Sequence, residues 1–134
     1  MDQKNTDIAR EYFRAVQTGD MATLGKLVDE KIVWRQPGSN QFSGERRGRN
    51  AVFEMLGAMM QCTAGTFAID KVHSLMGNGE MVAASIHFSA RRDGQSMSMD
   101  GVDVLRIKDG TIVEAWLFSS DQAAEDEFWG DAGR

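Results

Sequence analysis

The chain opens on helical spacing and closes on alternation. Over residues 6–17, Ile8, Tyr12, Ala15 and Val16 fall on one stripe, with Ala9 and Phe13 beside it. That spacing predicts an amphipathic helix. Asn5 or Thr6 is placed to cap its start, and Gly19 to end it. Asp20 then caps a second, short helix through Val28, with Met21, Leu24, Leu27 and Val28 as its apolar positions. Ile32-Val33-Trp34 predicts a short strand, and residues 35–44, containing Pro37 and Gly38, an irregular connection. From Arg49 to about Gln61 helical spacing returns through Val52, Met55, Leu56, Met59 and Met60. Four strand-like runs follow at about 66–75, 80–91, 95–107 and 111–118. Gly77-Asn78-Gly79, Asp93-Gly94 and Asp109-Gly110 separate them, and the last two dipeptides are strong hairpin signals. A short helix over about 121–128 ends the pattern.

Helices followed by an antiparallel meander predict an α+β domain. Strands longer than ten residues must twist and curl. The expected architecture is a curved antiparallel sheet with the N-terminal helices packed on one face, forming a cone with an internal cavity. One domain over residues 1–134 accounts for the whole pattern.

One position breaks the alternation. In the run 97–107, Met97, Met99, Gly101, Asp103, Leu105 and Ile107 share a face. Asp103 is its only acid. A carboxyl on an apolar face must be paired, hydrogen-bonded, or kept protonated with a raised pKa. Such acids concentrate in functional sites. A structural pair with Arg91 or Arg106 is the competing reading.

Composition narrows the partners. The 134 residues are 42% hydrophobic and carry a net charge of −5, which disfavours a nucleic-acid backbone. No apolar run reaches the roughly 20 residues of a membrane span. The start, Met1 to Asn5, is polar and has no signal-peptide core. Cys62 is the single cysteine, so no internal disulfide forms; a cytoplasmic setting is expected. One cysteine and two histidines, His73 and His87, fall at no metal-ligand spacing. There is no phosphate-binding glycine loop and no nucleophile elbow. Neither a metal nor a cofactor is expected. The basic cluster Arg46-Arg47-Gly48-Arg49 reads as a solvated loop opening a helix.

The chain resembles a known group at several points. These are 12–20 (Tyr12-Phe13-Arg14-Ala15-Val16-Gln17-Thr18-Gly19-Asp20), Val33-Trp34-Arg35-Gln36-Pro37-Gly38, Phe42-Ser43-Gly44, Gly101-Val102-Asp103-Val104-Leu105-Arg106-Ile107 and Asp109 to Trp116. Together they resemble the SnoaL-like and ketosteroid-isomerase-like branches of the nuclear transport factor 2-like superfamily, over nearly the whole length. In the isomerases a tyrosine on the first helix and a protonated aspartic acid on a late strand form an oxyanion hole. The resemblance places Tyr12 and Asp103 at those positions. One such donor is worth on the order of 10²–10³ in rate. The isomerase base is a carboxylate directly before the proline after the first strand; here that residue is Gln36, a carboxamide that accepts no proton at neutral pH.

SnoaL-type cyclases, by resemblance, use an aspartate and a histidine from late strands. His87 is the candidate base if the face of Met81, Ala83, Ser85, His87 and Ser89 lines the cavity. The opposite face holds Val82, Ala84, Ile86, Phe88 and Ala90, and alternation does not choose between them. Asp121 is a weaker candidate, better read as the cap of the last helix. His73 reads as structural. Gln36, Trp34, Phe53, Met99, Trp116 and Phe118 are the candidate ligand contacts.

The expected function is a cofactor-free isomerase or cyclase acting on an apolar carbonyl compound through an enolate-like oxyanion. A non-catalytic small-molecule binding protein, or a dimeric interaction module of the same fold, is the alternative. The expected partner is an apolar small molecule, with a homodimer implied by the resemblance.

Overall fold

A computed structural model describes residues 2–131, the side chain of Asp2 apart. Four helices and six strands follow in the order α1 (Asp2–Thr18), α2 (Met21–Leu27), β1 (Val28–Gln36), β2 (Gly44–Arg47), α3 (Arg49–Cys62), β3 (Ala68–Asn78), β4 (Met81–Arg92), β5 (Gln95–Lys108), β6 (Thr111–Ser119) and α4 (Gln122–Trp129). The six strands form one sheet in the order β2-β1-β6-β5-β4-β3.

The helices pack on one face of this sheet. Helix α1 lies over β3 and β4, α3 over β1 and β2, and α4 over β5 and β6. The inner stripe of α1, Ala9, Tyr12, Phe13 and Ala15, is buried. So are Val52, Met55 and Met59 of α3 and Phe128 and Trp129 of α4. Asp20 caps α2, accepting a hydrogen bond from the Thr23 N–H at 3.1 Å. Asp93 and Gly94, like Asp109 and Gly110, all take positive φ. That is the conformation a two-residue hairpin turn needs to match strand twist.

Four expectations need correction. Helix α1 starts at Asp2, so Asn5 and Thr6 lie inside it rather than at its cap; the Asn5 side chain donates instead to the Gly79 carbonyl, 3.0 Å away. Strand β1 runs nine residues rather than three. Part of the expected irregular stretch is β2, paired antiparallel to β1 with Val33 opposite Arg47. The sheet is also mixed, because β1 runs parallel to β6, with Trp34 beside Ala115. A strand early in the chain thus sits beside the last one.

The faces of β4 and β5 are unambiguous. Val82, Ala84, Ile86, Phe88 and Ala90 of β4 point inward and are buried. On β5 the inward set is Met97, Met99, Gly101, Asp103, Leu105 and Ile107. Gly101 has no room for a side chain. A Cβ there would lie 2.7 Å from the Phe118 carbonyl oxygen and 3.0 Å from the Phe88 ring. On the outer face Arg106 pairs with Glu80 and Glu114, each at 2.9 Å. Arg35 pairs with Glu114 at 3.1 Å and stacks over Trp116, 4.7 Å from the ring centre.

Candidate functional site

Between the helices and the inner sheet face lies a cavity of about 70 Å³. One water needs roughly 10–15 Å³ of such space, so the cavity has room for several. Apolar side chains, among them Val16, Leu56, Met59, Ile86, Phe88 and Leu117, make most of its wall. Tyr12, Trp34, Gln36, Asp103, Ser119 and Glu125 bring polar atoms to it. They come from α1, β1, β5, β6 and α4.

Asp103 is 5% exposed. Burial pushes its carboxyl up to about 7, and the negative charge of Glu125 adds to the rise. Arg106 is engaged with acids on the outer face and Arg91 is exposed, so neither neutralises it. Burial also raises the Tyr12 phenol well above its usual range, and the charge of Asp103 reinforces this. Tyr12 therefore keeps its proton across the physiological range.

Glu125 is built differently. Its Oε1 accepts hydrogen bonds from Ser119 Oγ at 2.6 Å and Gln122 Nε2 at 3.0 Å. Its Oε2 accepts from Trp129 Nε1 at 3.3 Å. Three donors compensate a carboxylate that is 4% exposed. The two carboxyls thus face one low-dielectric space in unequal surroundings.

Gln36 is oriented by its neighbour. Trp34 Nε1 donates to Gln36 Oε1 at 2.9 Å, and both residues are buried. With its oxygen engaged, what the amide has left to offer a ligand is its N–H₂ donors. The loop that follows is pinned to α4. Asp126 accepts from the Ser39 N–H at 3.1 Å and from Asn40 Nδ2 at 2.8 Å. Gly38, at φ +84°, approaches so closely that a Cβ would overlap Asp126 and Gln122.

Most of the other sequence candidates lie elsewhere. His87 is on the outer sheet face, where its Nδ1 meets Asp70 Oδ1 at 2.6 Å and its Nε2 meets Ser98 Oγ at 3.0 Å. Burial pushes Asp70 up, but hydrogen bonds from Ser89 and His87 outweigh it and hold the acid below its usual value. The cavity face of β4 is the Phe88 face, so the alternation that points Ile86 and Phe88 inward turns His87 outward. His73 meets Asp100 at 3.1 Å on the same outer face. Asp121 caps α4 through the Ala124 N–H at 3.1 Å. Trp116 stacks under Arg35, Phe53 lines a neighbouring groove, and Met99 packs in the core. Phe118 reaches the cavity edge and is 58% exposed.

Glu125 and Ser119 are the site residues that reading by resemblance passes over. Glu125 has a legible signal. It precedes Phe128 and Trp129 by three and four residues, so it lies on the apolar stripe of its helix.

The sequence profile of the SnoaL-like domain matches residues 9–115. The chain belongs to the SnoaL-like family. This SnoaL-like protein shares 48% identity with a Xanthomonas campestris protein of unknown function and cystatin-like fold; the match covers 97% of this chain and 99% of that one, with a TM-score of 0.92. Bal32a, from a soil-derived mobile gene cassette, is 29% identical over 96% of this chain and 98% of its own, at a TM-score of 0.91. IdmH of Streptomyces antibioticus, proposed to be a polyketide cyclase, is 20% identical over 90% of this chain and 96% of its own, at a TM-score of 0.72. At that identity IdmH shares the fold alone. The nuclear transport factor 2-like cone is therefore the architecture of this SnoaL-like domain.

Proposed function

We propose that this SnoaL-like domain binds an apolar carbonyl or enol compound and moves a proton on it through an enolate-like oxyanion, without a cofactor. The observation that carries this reading is Asp103, a buried acid held neutral up to about pH 7 on the wall of an apolar cavity. In its neutral form Asp103 donates an O–H to the ligand oxygen, and Tyr12 is the second donor. Both act in a low-dielectric space, where such donors stabilise developing charge most strongly. The amide of Gln36 supplies a further N–H on the Trp34 side. Gln36 takes no proton; Glu125 is the carboxylate in the same cavity and takes the role of base. Ser119, Gln122 and Trp129 orient it. A cyclase activity, as proposed for IdmH, falls within this chemistry.

Binding of phenols of graded acidity tests the oxyanion site, since a phenolate mimics an enolate. Affinity is expected to rise as the phenol becomes more acidic, and to fall at least tenfold in Tyr12→Phe and in Asp103→Leu. Equal affinities in all three proteins would overturn the reading. Proton transfer is read separately, by deuterium uptake at the carbon beside the carbonyl of a bound cyclic ketone in D₂O. Uptake lost in Glu125→Gln is expected.

A second reading has one observation behind it. Gln36 occupies the position of the isomerase base and its oxygen is engaged by Trp34, a donor-rich arrangement suited to holding a ligand oxygen without turnover. Phenol binding with no deuterium uptake by the wild-type protein would select it.

A further inference from the structure

The cavity has an apolar neighbour. A groove of about 220 Å³ runs between α1, α2 and α3, lined by Met21, Leu24, Phe53, Gly57 and Met60. Val16, Leu56, Phe67 and Ile69 line both the groove and the cavity, so the two spaces adjoin at these four side chains. All four are only half-buried. Side chains flanked by empty space on two sides forgo part of their dispersion contacts, so filling either side is favourable. The groove ends at exposed Met21 and Met60, flexible side chains that adapt to varied apolar shapes.

Gly57 makes the room. It lies in the interior of α3, where glycine is disfavoured against alanine. Its backbone conformation is ordinary, and a Cβ there would meet nothing within 4 Å. No turn and no close backbone approach calls for a glycine at this position; what it leaves is open groove.

We propose that the ligand is elongated and amphiphilic: its oxygen-bearing head sits at Tyr12 and Asp103, and an apolar tail passes Val16, Leu56, Phe67 and Ile69 into the groove beside Gly57, toward Met60. The proposal rests on the head-group reading above. The cavity alone is smaller than the roughly 300–1,000 Å³ of ordinary ligand pockets, and the groove brings the combined space close to that range. Groove lining is almost wholly apolar. Its one polar side chain, Gln17, spends its amide on the Ile69 carbonyl at 3.0 Å, so the tail meets no polar demand.

A series of 4-alkylphenols, from phenol to 4-hexylphenol, tests this by calorimetry with the wild-type protein and with Gly57→Leu. In the variant the leucine side chain fills the groove. The readout is the slope of affinity with chain length, and thermal melting checks that the variant is folded. In the wild type affinity is expected to rise about fourfold per methylene as each is buried; in Gly57→Leu the slope is expected to vanish. Wild-type binding of phenol with no gain along the series overturns the tail and leaves the head reading standing. An undiminished slope in Gly57→Leu also overturns it, because the tail then lies elsewhere. Failure of every phenol to bind the wild type removes the head reading, and the tail with it.

Discussion

Replacing Asp103 with asparagine tests the electrostatics of the cavity through stability. Burial and the Glu125 charge lift the Asp103 carboxyl from an ordinary 3.8 to about 7 in the folded protein. In the unfolded chain it titrates near its ordinary value. Below about pH 4 both states hold the proton and the acid costs nothing. Between about pH 4 and 7 the unfolded chain releases its proton while the folded one keeps it. The folded state then binds more protons, so stability falls as pH rises. Above about pH 7 the loss is complete. At about 1.4 kcal/mol for each pKa unit, it amounts to on the order of 4 kcal/mol. Asparagine has the shape of the neutral acid and carries no titrating proton. Urea unfolding of both proteins from pH 4 to 8.5 gives their stability difference, in which the other titrating groups largely cancel. The Asp103→Asn variant is expected to gain on the wild type by up to about 4 kcal/mol over this range, mostly between about pH 4 and 7. A difference that stays flat with pH refutes the raised pKa and the neutral donor built on it.

Three further outcomes follow from other parts of the molecule. Glu125→Gln removes the charge that adds to the Asp103 rise, so the Asp103 carboxyl carbon, followed by NMR, is expected to titrate at lower pH than in the wild type; an unchanged or higher midpoint contradicts the coupling. Gly101→Ala forces a methyl group against the Phe118 carbonyl and the Phe88 ring, at a cost of about 1–3 kcal/mol in urea unfolding; an equally stable variant shows that the strand yields at this point. His87→Ala deletes contacts on the outer face only and is expected to cost under about 1 kcal/mol, with phenol affinity unchanged in calorimetry; a tenfold loss of affinity ties that face to the cavity.

Much of the fold is legible because the relevant patterns are local. Helical spacing marks α1 and α3, and the Asp-Gly turns delimit β5. What escapes is pairing at a distance. Strand β2, Gly44–Arg47, is exposed and polar and has no alternation of its own; its partner β1 makes it a strand. Strand β3 defeats period-2 reading for another reason. Bulges between Ile69 and Lys71 and between Val72 and Ser74 switch its faces, so Phe67, Ile69, His73 and Leu75 do not form the single face that alternation assigns them. At the site, alternation exposes Asp103, but a carboxylate on a helical stripe, Glu125, asks for the same scrutiny. His87 is placed by packing and not by alternation: one strand offers two faces, and only helices packed on one of them make that face the inside.

The parallel contact between β1 and β6 has a consequence for biosynthesis. The β3, β4 and β5 hairpins close through neighbouring residues and can form as the chain emerges. Strand β1, made early, has only the short β2 for a partner until β6 follows. In that interval Ile32 and Trp34, buried in the finished protein, have no sheet to cover them. Non-local pairings of this kind slow folding and leave aggregation-prone strands exposed. Chains stalled before residue 111 would therefore be clients for chaperones, and the cavity, which needs both Gln36 and Glu125, is among the last parts of the molecule to exist.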